Sequence, residues 1–352
     1  MPELIGSAPP RSAEPASLRA VADLAGVSIA TVSRVMSGSD HPVAVGTRQR
    51  VLEAANTLSF EPNRLARALV TARSQTVGVI VHDISDSYFG EIVKGFEDGI
   101  HADGYRLFMA SSERDPDKEL EYVRAFAAYQ VDAIVFAASG LTSPDYQRAL
   151  EDVIGRFRGR GGVTITLSDH SLDGARVRFD NARAMAAMVD YLASRGHRNI
   201  GFIGGPPGLM VTQARLSGYV SAMERLGLGV TPGLIADGHF TIKGGSEAAA
   251  EICRHGDPTA ILASNDLMAI GATRHLLSTG TSVPGEISVA GFDDTPIAEF
   301  GPVPLTTMRV PTYGLGQRGA DLLLGILAGL EPEDEWLEGE IIERSSVATL
   351  AE

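Results

Sequence analysis

The sequence predicts a small all-helical module near the N-terminus, followed by a larger α/β body of two parallel-sheet lobes. Three observations predict it. Apolar residues between positions 17 and 60 recur with a 3.6-residue period in three short runs. From Val77 onward, buried-strand runs alternate with helical patterns, which implies parallel sheets covered on both faces. A chain of 352 residues is also too long for one ordinary core, so the body divides.

Charge divides the chain in the same way. Residues 17–76 carry seven Arg and four acidic residues, a net charge of +3, whereas residues 77–352 carry 22 basic and 38 acidic residues, a net charge of −16. A basic module on an acidic body can meet phosphates locally while the body resists non-specific adhesion.

Residues 1–16 are rich in Pro, Ala and Ser and lack a basic start followed by an apolar stretch, so they read as a disordered leader and not a signal peptide. Ser17 can cap a first helix whose apolar positions are Leu18, Val21, Ala22, Leu24 and Ala25. Gly26 ends it, because glycine enters the left-handed turn at little cost. Ser28 caps a second helix with Val32, Val35 and Met36 on its inner face. Thr47 opens a third, with Val51, Leu52, Ala55 and Leu58 as its stripe. Two helices across a three-residue turn, with a third in support, form a helix-turn-helix domain over 17–61. The segment 62–76 follows as a linker. Pro62, Arg64, Arg67 and Arg73 surround the pattern Leu65 to Leu69, which is too short for a stable helix alone and would order on binding.

In the body, strands are expected at Val77–Val81, Tyr105–Ala110, Asp132–Ala137, Asn199–Ile203, Ala260–Ala263 and Ile287–Ala290. Both halves open with a strand, a polar loop and a helix carrying Gly-aromatic, Gly95-Phe96 and Gly218-Tyr219. In such sheets ligands bind at the carboxyl ends of strands, which here would face a cleft between the lobes.

Enzymatic chemistry finds no support in the residues. The single Cys253 excludes an internal disulfide and a thiolate metal cluster, and fits a reducing cytoplasm. The eight histidines are scattered without metal-ligand spacing. The loop Gly204 to Gly208 lacks the Lys-Ser/Thr of a phosphate loop, and Ser111, Ser112 and Ser264 have no evident base. No catalytic residue, metal or cofactor is expected, and no run is long enough to span a membrane.

One stretch carries a resemblance. Leu18 to Met36, including Ala25-Gly-Val-Ser and Thr31-Val-Ser-Arg-Val, closely resembles the headpiece of the LacI/GalR repressor family. The likeness continues through Thr47-Arg48, Pro62-Asn63, Leu65-Ala66-Arg67, Val77-Gly78-Val79-Ile80 and Ser264-Asn265-Asp266. It extends to Ser288 through Asp294 and to Pro304-Leu305-Thr306-Thr307. The resemblance implies a periplasmic-binding-protein-like core, with an N-lobe over 77–169 and 309–338 and a C-lobe over 170–308 and 339–352. The chain would cross between them near 170, 308 and 339.

It also implies roles. The second helix would enter the major groove, bringing Ser28, Ile29, Ala30, Thr31, Ser33 and Arg34 to the DNA. Ile29 and Ala30 stand where the family selects its operator; both are apolar and can touch a thymine methyl or exclude a base. Arg34 would read guanine, and Ser28, Thr31 and Ser33 would cap the helix or hold phosphates. In the hinge, Asn63, Ala66 and Leu69 would meet the minor groove, Leu69 as a wedge that kinks the duplex. Ser37, Ala44, Val45 and Gly46 depart from the polar residues common in the family. For the effector, the resemblance points to Tyr88, Phe89, Arg215, Phe240, Asn265 and Asp293, with Ser168 or Asp169 where many members carry one Asp. Met210 and Val211 are apolar where polar contacts are common, which suits a ligand less hydroxylated than a plain hexose.

The expectation is a cytoplasmic, nucleoid-associated homodimeric repressor on a palindromic operator, released by a carbohydrate or derivative. A corepressor-dependent protein binding a purine-like metabolite is the alternative. A free solute-binding protein is disfavoured by the attached headpiece, and a sugar-modifying enzyme by the missing base or metal. No heptad repeat at the C-terminal end points to a coiled-coil tetramer.

Overall fold

A computed structural model describes residues 17–36, 41–60 and 73–350. The leader, Ser37 and the hinge residues Asn63, Ala66 and Leu69 lie outside the described residues. The chain forms two compact units, one ending at Ser74 and one beginning at Gln75.

In the first unit, α1 (Leu18–Ala25) starts under Ser17, whose hydroxyl accepts the Ala20 amide at 3.2 Å. It stops at Gly26, where φ is 64°. α2 (Ile29–Met36) starts under Ser28, whose hydroxyl accepts the Thr31 amide at 3.1 Å. α3 (Val45–Thr57) packs on both, and Arg50 Nε donates to the Ala25 carbonyl at the exposed end of α1. Val21, Ala22, Ala25, Val32, Val35, Val51, Ala54 and Ala55 make the core. These side chains are small, so three short helices can close on one another without a larger hydrophobe between them. Leu24 and Leu52 were expected inside but are 54% and 45% exposed; Ala54 takes the buried place, and α3 begins at Val45, before Thr47.

The second unit holds two sheets. The first has the order β2-β1-β3-β4-β5-β11: β1 (Thr76–Val81), β2 (Arg106–Ser111), β3 (Ala133–Phe136), β4 (Val163–Thr166), β5 (Ala175–Phe179) and β11 (Glu335–Leu337), all parallel. The second has the order β7-β6-β8-β9-β10-β12: β6 (Ile200–Gly204), β7 (Ile235–Asp237), β8 (Ala260–Ala263), β9 (Ser288–Asp293), β10 (Thr306–Arg309) and β12 (Glu340–Ile342). Only the β10–β12 pair of this sheet is antiparallel.

The intervening helices cover both faces. α4 (Ser87–His101), α5 (Pro116–Ala128) and α6 (Pro144–Arg158) serve the first lobe, joined by α12 (Thr312–Leu327) against α4. α7 (Asn181–Ser194), α8 (Met210–Arg225), α9 (Ile242–His255), α10 (Asp266–Ser278) and the short α11 (Pro296–Phe300) serve the second. The Gly-aromatic echo has a steric cause. A Cβ on Gly95 would overlap the Tyr313 carbonyl of α12, and one on Gly218 the Ala182 carbonyl of α7, so each lobe seats one helix pair at backbone contact.

The chain leaves the first sheet after Phe179, not near 170, because Ala175–Phe179 is still a strand of that sheet. It returns after Arg309 and crosses a last time between Leu337 and Glu340. The sequence reading missed β4, β5, β7, β10, β11 and β12, all five residues or shorter.

Candidate functional site: an interlobe cleft and a recognition helix

The face of α2 away from the core is presented to solvent. Val32 and Val35 are buried, while Ser28, Ile29, Ala30, Ser33 and Arg34 are exposed and Thr31 is half-buried. Ser28 and Thr31 also share a hydroxyl contact at 2.9 Å, so both serve the helix start. An exposed isoleucine, 48% accessible, beside alanine at the helix N-terminus forms an apolar tip with one arginine a turn below.

In the body a cleft of about 440 Å³ opens between the lobes, at the carboxyl ends of the strands. Its C-lobe wall is centred on Arg215, on the second turn of α8 and only 4% exposed. Nε donates to Asn181 Oδ1 at 2.8 Å, Nη1 to the Ser264 carbonyl and Nη2 to Asp293 Oδ1 at 3.2 Å. The guanidinium lies 4.1 Å from the centre of the Phe292 ring. Three donors are thereby fixed, and a buried cation is tolerated because each faces an acceptor. Asp293 ends β9 in a left-handed conformation, with φ 107°, and burial pushes its carboxyl well above the usual carboxylate range against the pull of Arg215. Asn265 caps α10 through the Met268 amide at 2.9 Å and also faces the cleft. Beneath them Asp266 accepts from the Thr295 amide and hydroxyl and from Thr307; burial still holds its carboxyl up, at about 7.

The N-lobe wall differs. His82 is 3% exposed, with Nδ1 3.2 Å from Ser112 Oγ, and its ring also meets the Ser139 backbone. Burial first, then the Arg114 charge, lower its pKa to about 3, so the ring is neutral at physiological pH. Arg114 enters the cleft from a turn in which Glu113 and Arg114 both have positive φ, 53° and 63°. Its guanidinium lies 5.7 Å from the Phe240 ring of the other lobe, and its Nε makes no hydrogen bond. Tyr88 and Phe89, in the first turn of α4, meet edge to face at 5.2 Å and complete this side with Asp86 and Ser139. At one margin the lobes join by backbone: the Met210 amide donates to the Gly140 carbonyl and the Thr142 amide to the Gly208 carbonyl, each at 2.9 Å.

Comparison with known proteins agrees with this architecture. Residues 17–63 match the bacterial regulatory proteins of the lacI family, and residues 189–347 match the periplasmic binding protein-like domain. The HTH-type transcriptional repressor CytR of Escherichia coli is 33% identical over 341 residues, 95% of this chain and 97% of that protein. The chain belongs to the LacI family.

Other relatives agree. The HTH-type transcriptional regulator DegA of Bacillus subtilis is 33% identical over 84% of this chain and 87% of that protein. A structure of the lac repressor dimer bound to operator and the anti-inducer ONPF superposes with a TM-score of 0.84 at 25% identity, over 95% of this chain and 100% of that one. A CelR–cellobiose complex gives 0.69 at 28% identity, over 94% of this chain and 99% of that one. This protein is thus a LacI-family transcriptional regulator with a ligand-binding domain.

Of the residues the sequence singled out for the effector, the fold brings Tyr88, Phe89, Ser168, Arg215, Phe240, Asn265 and Asp293 to one cleft. Asp169 is not among its lining residues and accepts from Asn181 Nδ2 at 2.9 Å, so the serine of that pair faces the cavity. Arg215 lies inside α8, and Asp293 is the last residue of β9, which runs three residues past the expected end at Ala290. His82, Asp86, Arg114 and Ser139 were missed as lining residues. The family-like segments held no signal for Arg114, since an arginine in a polar loop reads as solvated. His82 directly follows a strand, a position that could have marked it.

Proposed function

We propose that this LacI-family regulator is a repressor whose operator affinity is set by a carbohydrate or sugar derivative held between its lobes. One observation carries the reading. A cleft walled by both lobes presents a fixed donor and acceptor set, Arg215, Asn265 and Asp293, beside Phe240 and opposite Tyr88. Such a set suits vicinal hydroxyls, and an aromatic ring can cover a sugar face. The CelR complex with cellobiose and an Enterococcus faecium LacI-family regulator with bound ribose support the ligand class; the latter has a TM-score of 0.69 at 26% identity over 78% of this chain.

In this reading α2 lies in the major groove, with Ile29 and Ala30 choosing the operator, Arg34 reading guanine, and Ser28, Thr31 and Ser33 at the backbone. Residues 62–76 form the hinge, with Asn63, Ala66 and Leu69 in the minor groove. The protein works as a cytoplasmic homodimer on a palindromic site. The apolar side chains of Phe108, Met109, Leu277 and Phe300, from 41% to 81% exposed, support a covered face on each lobe.

Fluorescence anisotropy with DNA from upstream of the chain's own gene, with sugars and nucleobases added in turn, tests the proposal. Release by one sugar is expected. Binding that arises only with an added purine would make the protein corepressor-dependent instead.

A further inference from the structure

The turn that follows β9 sets two consecutive aspartates back to back, and only the first faces the cleft. Asp294 points away, with its side chain 5% exposed and held by two arginines. Arg309 Nε stands 2.8 Å from Oδ2, and Arg344 Nη1 stands 2.7 Å from Oδ1.

The location of these arginines is informative. Arg309 is the last residue of β10, where the chain leaves the C-lobe for the second crossing. Arg344 follows β12, just after the third crossing, and is fastened to the first of these strands by its own amide, which donates to Thr306 Oγ1 at 2.9 Å. The remaining crossing is reached from the other aspartate. Asp293 holds Arg215, which holds Asn181, the first residue of α7 after the chain leaves β5. The pair 293–294 thus touches two of the three connections between the lobes and reaches the other through Arg215.

The backbone at the pair is strained. Asp293 has φ 107° and Asp294 has φ 57°, and left-handed conformations of this kind in non-glycine residues persist only where surroundings enforce them. The enforcement is visible on three sides: Asp266 binds the Thr295 amide at 2.7 Å, Arg309 and Arg344 bind Asp294, and Arg215 binds Asp293. A ligand group that engages Asp293 competes with Arg215 for its carboxylate. The turn can answer only by moving Asp294 against the two arginines.

We propose that Asp294 is the positioning residue that transmits occupancy of the cleft to the lobe angle, acting through Arg309 and Arg344 and without touching the ligand. This rests on the cleft being the effector site, but its test needs no effector. In the full chain with Cys253→Ser, spin labels at Tyr129→Cys and Lys243→Cys, exposed positions on opposite lobes, report the interlobe distance by pulsed electron–electron resonance. Asp294→Asn is expected to broaden that distribution by about twofold, as a hinge freed of a fixed contact does. Arg309→Gln, which removes one half-exposed partner, is expected to broaden it less in the same sense and serves if Asp294→Asn fails to fold. Arg225→Gln, which breaks the exposed ion pair with Asp190 within the C-lobe, should leave it unchanged whatever it does to the Tm. Distributions for Asp294→Asn and Arg309→Gln that superpose on the parent would overturn the proposal while leaving the effector reading intact.

Discussion

The two walls of the cleft are built on opposite principles. On the C-lobe side Arg215 has an acceptor at each guanidinium nitrogen, and those acceptors lie on Asn181, Ser264 and Asp293 of the protein itself. On the N-lobe side Arg114 Nε makes no hydrogen bond to the described residues, and its guanidinium leans on a ring of the other lobe. A saturated wall resists change, so a ligand that engages it must displace an internal bond and strain the network. A wall with a donor to spare can bond a ligand without breaking a bond of its own. The difference teaches a division of labour: the N-lobe side selects the ligand, and the C-lobe side converts its presence into movement.

The largest test of this comparison is Arg215→Ala. Removing the cation leaves Asp293 buried without its partner, and a loss of about 3–5 kcal/mol is expected. Urea denaturation measures it; a loss below about 1 kcal/mol would mean the wall is not the closed network described here.

Next comes the cost of a desolvated imidazole. His170 is half-buried against Phe136 with Nε2 covered and unbonded among the described residues, and desolvation lowers its pKa from 6.5 to about 4. The unfolded chain therefore takes up a proton below pH 6.5 that the folded chain refuses until about pH 4. Stability falls as pH drops through that window, by about 3 kcal/mol for this group. His170→Asn keeps an acceptor for the Leu172 amide and should flatten that part of the pH profile in denaturation series at pH 7 and 4.5. An unchanged slope would place the acid sensitivity elsewhere, with His82 the next group to replace.

The headpiece offers a smaller effect. Ser28→Ala removes the hydroxyl that accepts the Thr31 amide and should cost about 1 kcal/mol, read from the thermal unfolding of that unit. Smallest in stability is Arg114→Gln, within about 1 kcal/mol of the parent, because the residue is half-buried and its Nε bonds no acceptor among the described residues. Its effect should fall on effector affinity, with a loss of about tenfold in calorimetric titration.

The headpiece was largely legible because its first two helices begin at a serine, and the first ends at a glycine, that the backbone requires, as at Ser17, Gly26 and Ser28. The misplacement of Leu24 and Leu52 came from reading hydrophobicity as burial; in so small a core the alanines fit and the leucines do not. In the body, long buried runs such as Thr76–Val81 announced themselves, whereas β5 interleaves arginines and β11 is three residues long with an exposed tryptophan, so both resemble loops. That is why the first crossing was placed too early. Arg215, Asn265 and Asp293 were found through the family resemblance. Arg114 and Asp294 were not, because their roles depend on left-handed backbone and on partners distant in sequence, Phe240, Arg309 and Arg344.

The most direct test of the division between the walls is an effector dose–response of operator binding, compared between Arg114→Gln and Asp294→Asn, using the sugar that releases the parent protein. The account predicts that Arg114→Gln shifts the midpoint to higher sugar with full release at saturation. Asp294→Asn keeps the midpoint and loses most of the release. Identical displacement of both curves would contradict it, and would make the cleft a single undivided binding surface.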